Sequence, residues 1–188
     1  SKELKLQLMN YKLFFILFLL SCSSNYTPKP RAFVKIHLPE KEFQKADFSL
    51  FSLNFEHPIY SELEIGEKAN FINIIFEDFS AILHLTYVNL DDNLYAHIEE
   101  SRSLAYKHNL QANSISEQVY LNTEKSVFGM LYNYSGMTAT STQFYLTDSV
   151  THFLRGSLYF NTEINDSIKP LNDFLKKDVV SLIESVQW

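Results

Sequence analysis

Seven apolar residues near the end of the chain share one helical spacing: Leu171, Phe174, Leu175, Val179, Leu182, Ile183 and Val186. A helix turns once every 3.6 residues or about that, so these side chains form a single stripe. A helix with one apolar stripe must bury it, and the usual cover is one face of a sheet. Asp166 or Ser167 can cap this helix, and Pro170 falls in its first turn. Lys176, Lys177 and Asp178 are expected on the opposite, solvated face. The rest of the chain must then supply the sheet.

Period-two alternation marks half-buried strands. It occurs in Ala32–Leu38, ended by Pro39, and in Phe48–Glu56, where Phe51, Leu53 and Phe55 share a side. Residues 70–76 and 82–88 are aromatic and β-branched, and Glu77-Asp78-Phe79-Ser80 separates them. A helix is predicted over 93–109, with Leu94, Ile98, Ala105 and His108 along one stripe. Asp91 and Asp92 are read as acids of its first turn, where they suit the helix dipole. Residues 115–122, 126–134, 139–147 and 151–161 then form a run of strands. Ser135-Gly136 and Thr147-Asp148-Ser149 are the turn signals between the last three. The expected class is α+β: a mainly antiparallel sheet flanked by two helices. The ending after such a meander is similar to the PsbP/Mog1-type fold, a likeness of fold alone.

The N-terminus reads differently. Leu13-Phe14-Phe15-Ile16-Leu17-Phe18-Leu19-Leu20 is an apolar run preceded by Lys2, Lys5 and Lys12. A bilayer core of about 30 Å needs roughly 20 helical residues, so this run cannot span it. It has the length of a secretory h-region. Leu19-Leu20-Ser21-Cys22 ends it and resembles the lipobox of bacterial lipoproteins, in which the cysteine is acylated and becomes the new N-terminus. Cys22 is the chain's one cysteine, which also excludes an internal disulfide. The expected organisation is a signal peptide over 1–21, a lipidated tether over 22–31 carrying Pro28 and Pro30, and one domain over 32–188. Without residues 1–21 the chain keeps 13 of its 16 Lys and Arg and 21 of its 22 Asp and Glu, a net charge of −8. Such a chain is a poor nucleic-acid ligand, because Lys and Arg carry phosphate binding. Four glycines leave no room for a glycine-rich phosphate loop.

No motif with recognisable chemistry stands in the sequence. His97 and His108 lie near one helix face but about 16 Å apart along the axis, too far to share a metal. His37, His57, His84 and His152 stand in no ligand spacing. Ser101 and Ser103 neighbour Glu99, Glu100 and Arg102 and read as a solvated helix face. Tyr132, Tyr134, Phe144, Tyr145, Phe153, Tyr159 and Phe160 read as sheet and core residues. Arg155-Gly156 is the spot to inspect, since a mid-strand glycine weakens the strand unless a bulge or close approach needs it. No catalytic residue, metal, cofactor or small-molecule substrate is assigned.

The block Pro28-Lys29-Pro30-Arg31-Ala32-Phe33-Val34-Lys35-Ile36-His37-Leu38-Pro39-Glu40-Lys41-Glu42-Phe43 resembles the start of the gliding-motility lipoprotein D family (GldD). Phe153–Asn161 and Ser181–Trp188 look like that family's C-terminal half. The chain departs from the family pattern at Ala32-Phe33 and at His37. The resemblance implies a non-enzymatic lipoprotein, without a cofactor, that works as an accessory or scaffold subunit of the gliding and type IX secretion apparatus. It further implies other envelope lipoproteins as partners, and an anchor in the cell envelope, by default in the outer membrane facing the periplasm. Two other functions fit the sequence: a periplasmic hydrolase, and a PsbP/Mog1-like ligand-binding or assembly-factor module.

Overall fold

A computed structural model describes residues 2–3, 37–48, 52–66, 70–107, 114–136, 138, 140–162, 164 and 167–188. The chain divides into two units, Ser1–Phe33 and Val34–Trp188, and the fold below is that of the second. The apolar run, Cys22 and the tether over 22–31 lie outside the described residues, as do 32–36 of the first expected strand. His37 and Leu38, the described end of that strand, are irregular.

Nine strands are described: β1 Phe43–Phe48, β2 Leu53–Pro58, β3 Glu62–Ile65, β4 Phe71–Phe76, β5 Ala81–Asn89, β6 Ser114–Asn122, β7 Val127–Ser135, β8 Thr140–Thr147 and β9 His152–Phe160. Helix α1 spans Leu94–Lys107 and helix α2 spans Lys169–Ser185, and a 3-10 turn covers Glu77–Phe79. β1 and β2 form an antiparallel hairpin. The other seven strands make one antiparallel sheet in the order β3-β4-β5-β9-β8-β7-β6. The chain lays down β3-β4-β5, leaves through α1, and returns as a meander whose last strand, β9, docks on β5. The class is therefore α+β, an antiparallel sheet with two helices, as the alternation and the closing stripe require.

Adjacent residues of a strand point to opposite faces, so the sheet has two separate interiors. Ile72, Ile74 and Phe76 of β4, Leu83 and Leu85 of β5, and Leu154 and Leu158 of β9 face one way. They form the main core with Leu171, Leu175, Val179 and Leu182 of α2. Leu53 and Phe55 of β2 close the same core from the hairpin side. On the other face Tyr132 and Tyr134 pack with Ala105 of α1, and the Tyr134 hydroxyl donates to the Ala105 carbonyl at 2.9 Å.

Several expectations need correction. The strand expected over 48–56 straddles the hairpin, whose reversal lies between Phe48 and Leu53, where neither Gly nor Pro marks it. Helix α1 begins after Asp91 and Asp92, so neither lies in its first turn. Asp92 instead takes the left-handed conformation, φ 52°, that turns the chain into the helix. Ser101 is buried under α1 rather than solvated, on the same side as Ala105. The cap of α2 falls on Ile168, and its side chain makes no capping hydrogen bond. Asp178 is buried, not on the outer face.

Candidate functional site

Asp178 breaks the apolar stripe of α2, and its side chain is 1% exposed. A buried carboxylate must be paired and hydrogen-bonded. Lys41 supplies the charge, its Nζ pairing with one carboxylate oxygen, and the Tyr60 hydroxyl donates to the other at 2.7 Å. The same Lys41 ammonium donates to the Phe174 carbonyl at 3.1 Å and lies 3.9 Å from the centroid of the Phe174 ring. Tyr60, Phe79 and Phe174 enclose the pair with ring centroids 5.8–6.1 Å apart. Burial, with the Asp178 hydrogen bond and charge added, pushes the Tyr60 phenol well above its usual range. The cluster joins four parts of the chain: the segment entering the domain before β1, the turn after β2, the 3-10 turn after β4, and the middle of α2.

Arg155 and Gly156 have separate explanations. The Phe144 ring lies across Gly156, and a Cβ there would come within 2.2 Å of two ring carbons. Gly156 is thus a close-approach glycine, which the sequence position alone suggested without naming the partner. Arg155 points to the opposite face, where its Nη2 donates to Gln143 Oε1 at 3.0 Å. There the register lines up one polar row across all seven strands: Glu64, Asn73, His84, Ser157, Gln143, Tyr132 and Glu117. His84 Nδ1 is 2.8 Å from Asn73 Oδ1. Ser141 Oγ, Gln143 Nε2 and Ser157 Oγ are buried without a hydrogen-bond partner among the described residues.

The histidines are dispersed. His57 is buried, its Nδ1 2.9 Å from Ser61 Oγ, and burial holds the ring below its ordinary pKa. His97 rests against the Phe153 ring, centroids 5.4 Å apart. His152 stacks on Trp188 at 5.2 Å and lies 2.6 Å from the Tyr87 hydroxyl. His37 is exposed, and His108 lies outside the described residues. Among the described residues no group of three metal-ligating side chains forms, and no helix is long and apolar enough to cross a membrane. A cavity between β6–β8 and α2 holds about 70 Å³ and is lined by Tyr120, Met130, Phe144 and Ile183 among others, well below the ~300 Å³ of a typical small-molecule pocket. Beside the hairpin, a cleft at Lys45, Asn54 and Glu56 holds about 240 Å³, and a more open one at Phe43, Lys125 and Glu184 holds about 390 Å³.

The titratable groups that the fold buries are thus engaged in holding it together. Asp178 serves Lys41 and Tyr60, and His57 serves Ser61. Sequence reasoning missed the cluster because Lys41 and Asp178 stand 137 positions apart. The signal that pointed toward it was a carboxylate lying next to Val179 on a helix with a continuous stripe.

The sequence profile of the family described as gliding motility lipoprotein GldD matches residues 23–188. None of the curated proteins matches the chain. Among solved structures, the solution structure of cyanobacterial PsbP (CyanoP) from Synechocystis is similar with a TM-score of 0.48 and 6% identity, covering 77% of this chain and 93% of that one.

Proposed function

The chain belongs to the gliding motility lipoprotein GldD family, and from that membership we propose that it is a lipid-anchored, non-enzymatic accessory or scaffold subunit of the gliding and type IX secretion apparatus. The observation that carries the reading is the extent of the family match, which begins at residue 23 and runs through the domain. The family's description as a lipoprotein supports a lipid anchor, and Cys22, the chain's one cysteine, is the residue that would carry it after removal of residues 1–21. Acyl chains contribute about 0.8 kcal/mol per buried CH2, so a multiply acylated cysteine anchors the chain without a spanning helix. Residues 22–31 then serve as the tether, and the domain over 32–188 faces the periplasm from the outer membrane. Its partners are other envelope lipoproteins of the same machinery.

Affinity purification from cross-linked cells tests the partner reading. Recovery of other gliding or secretion lipoproteins is expected, and a chain that comes down alone refutes it. Cys22→Ser tests the anchor. The variant is expected in the soluble fraction, and protein still sedimenting with membranes after a high-salt wash overturns the lipid assignment.

A further inference from the structure

The seven-stranded sheet ends differently at its two edges. β3 is four residues long, and Glu62 and Glu64 stand exposed on it. That is an ordinary guarded edge, short and charged. β6 is nine residues long and pairs with β7 without a bulge from Ser114 to Asn122. It carries no Lys, Arg or Pro. Val119 and Leu121 on it are 60% and 70% exposed. Its only charged residue is Glu117, and the Tyr106 hydroxyl of α1 donates to that carboxylate, holding it toward its own helix. Among the described residues no strand pairs with the outer side of β6. A long, regular, apolar edge without these guards is a template for another strand.

We propose that β6 pairs with β6 of a second copy of this chain, antiparallel about a two-fold axis through Gln118, so that two sheets become one of fourteen strands. The strand's own sequence singles out this occupant. Two-fold pairing centred on Gln118 uses all nine residues and sets Ser114 opposite Asn122, Ile115 opposite Leu121, Ser116 opposite Tyr120, and Glu117 opposite Val119. Each Glu117 meets a valine, so no like charges face each other, which would be destabilising in directly opposed positions. Ile115 and Leu121 share the face of α1, and their two symmetric contacts cover Leu121, which the free edge leaves in water. The pairing is isologous and closes on itself, so it gives a dimer and not a fibre.

Disulfide trapping of the full chain tests the register. Each variant carries Cys22→Ser, so that the introduced thiol stands alone. Gln118→Cys lies opposite itself at a Cα separation of about 5 Å, within disulfide reach. Ser114→Cys and Asn122→Cys each lie roughly 27 Å from their own copies, but opposite one another. Oxidation is expected to convert most of Gln118→Cys to a species of twice the monomer mass. Ser114→Cys and Asn122→Cys should stay monomeric alone and cross-link when mixed. Monomeric Gln118→Cys overturns the proposal, and so does equal cross-linking of all three single variants. A product from cells in which Gln118→Cys is joined to a different protein also overturns it. Val119→Glu, at an exposed position, should keep the circular dichroism melt of the parent, but it sets a second carboxylate opposite Glu117 of the other copy and should weaken dimerisation at least tenfold in sedimentation. An unchanged dimer in that variant counts against the edge.

Discussion

Replacing Lys41 by Met leaves the Asp178 carboxylate, 1% exposed, with one neutral donor, the Tyr60 hydroxyl. Removing one partner of a fully buried pair costs about 3–5 kcal/mol, because the remaining charge is desolvated without compensation. Lys41 is itself 29% exposed, so water screens part of the attraction, and a loss of about 2–3 kcal/mol is expected. For a domain of this size each kcal/mol shifts Tm by roughly 2–4 °C, giving about 4–12 °C. Asp178→Asn keeps an acceptor for Tyr60 and lets Lys41 turn to water, so its cost should be smaller, about 1–2 kcal/mol. Urea unfolding followed by the fluorescence of Trp188, the chain's single tryptophan, measures all three variants of the double-mutant cycle. The double variant should be less destabilised than the sum by about 1 kcal/mol or more. A Lys41→Met loss below about 0.5 kcal/mol, or strictly additive losses, would refute the claim that the pair is coupled and structural.

Gly156→Ala should destabilise by about 1–3 kcal/mol, since the new methyl enters the space of a Phe144 ring that is itself 1% exposed. Chemical denaturation measures this, and Phe144→Leu should recover part of the loss in the same background. His57 is held below its ordinary pKa by burial, so the folded state binds its proton less readily than the unfolded chain. Its contribution is complete above a pH of about 6.5 and falls as the pH drops below it, by at most about 1.4 kcal/mol per unit. His57→Gln should flatten the acid limb of a pH–stability curve, and an unchanged limb refutes the assignment. Burial pushes the Tyr132 phenol up to about 12, so stability is complete below a pH of about 10 and declines above it as the unfolded tyrosines ionise first. Absorbance titration at alkaline pH should show a late-ionising tyrosine that Tyr132→Phe removes.

The meander and the closing helix were legible because their patterns are local. On β9 Leu154 and Leu158 face the main core while Arg155 and Tyr159, half-buried, face the other way, and Ser149 and Gly136 take the positive φ that their turn positions suggest. What the pattern hid depends on distant residues. Among the described side chains of β1, at 43–46, Ala46 is the buried apolar one, and the strand character of β1 comes from pairing with β2. Ser101 sits among charged neighbours in sequence, yet it lies on the side of α1 that faces the sheet. Asp178 follows two lysines, so composition places it in water. Only the arrival of Lys41 on the other side makes a carboxylate tolerable at that point of the stripe.

That arrival changes what the family signature means. In the sequence Pro39-Glu40-Lys41-Glu42-Phe43 is a mark of resemblance and attaches no task to any residue. Lys41 is now the counter-charge of a buried carboxylate on the last helix, and Phe43 begins the strand that pairs with β2. A segment entering a domain without such contacts would fray, because chain ends are ordered only where something ties them down. Lys41 and Phe43 thus fix the point where the chain enters the domain, one through a buried ion pair and the other through strand pairing.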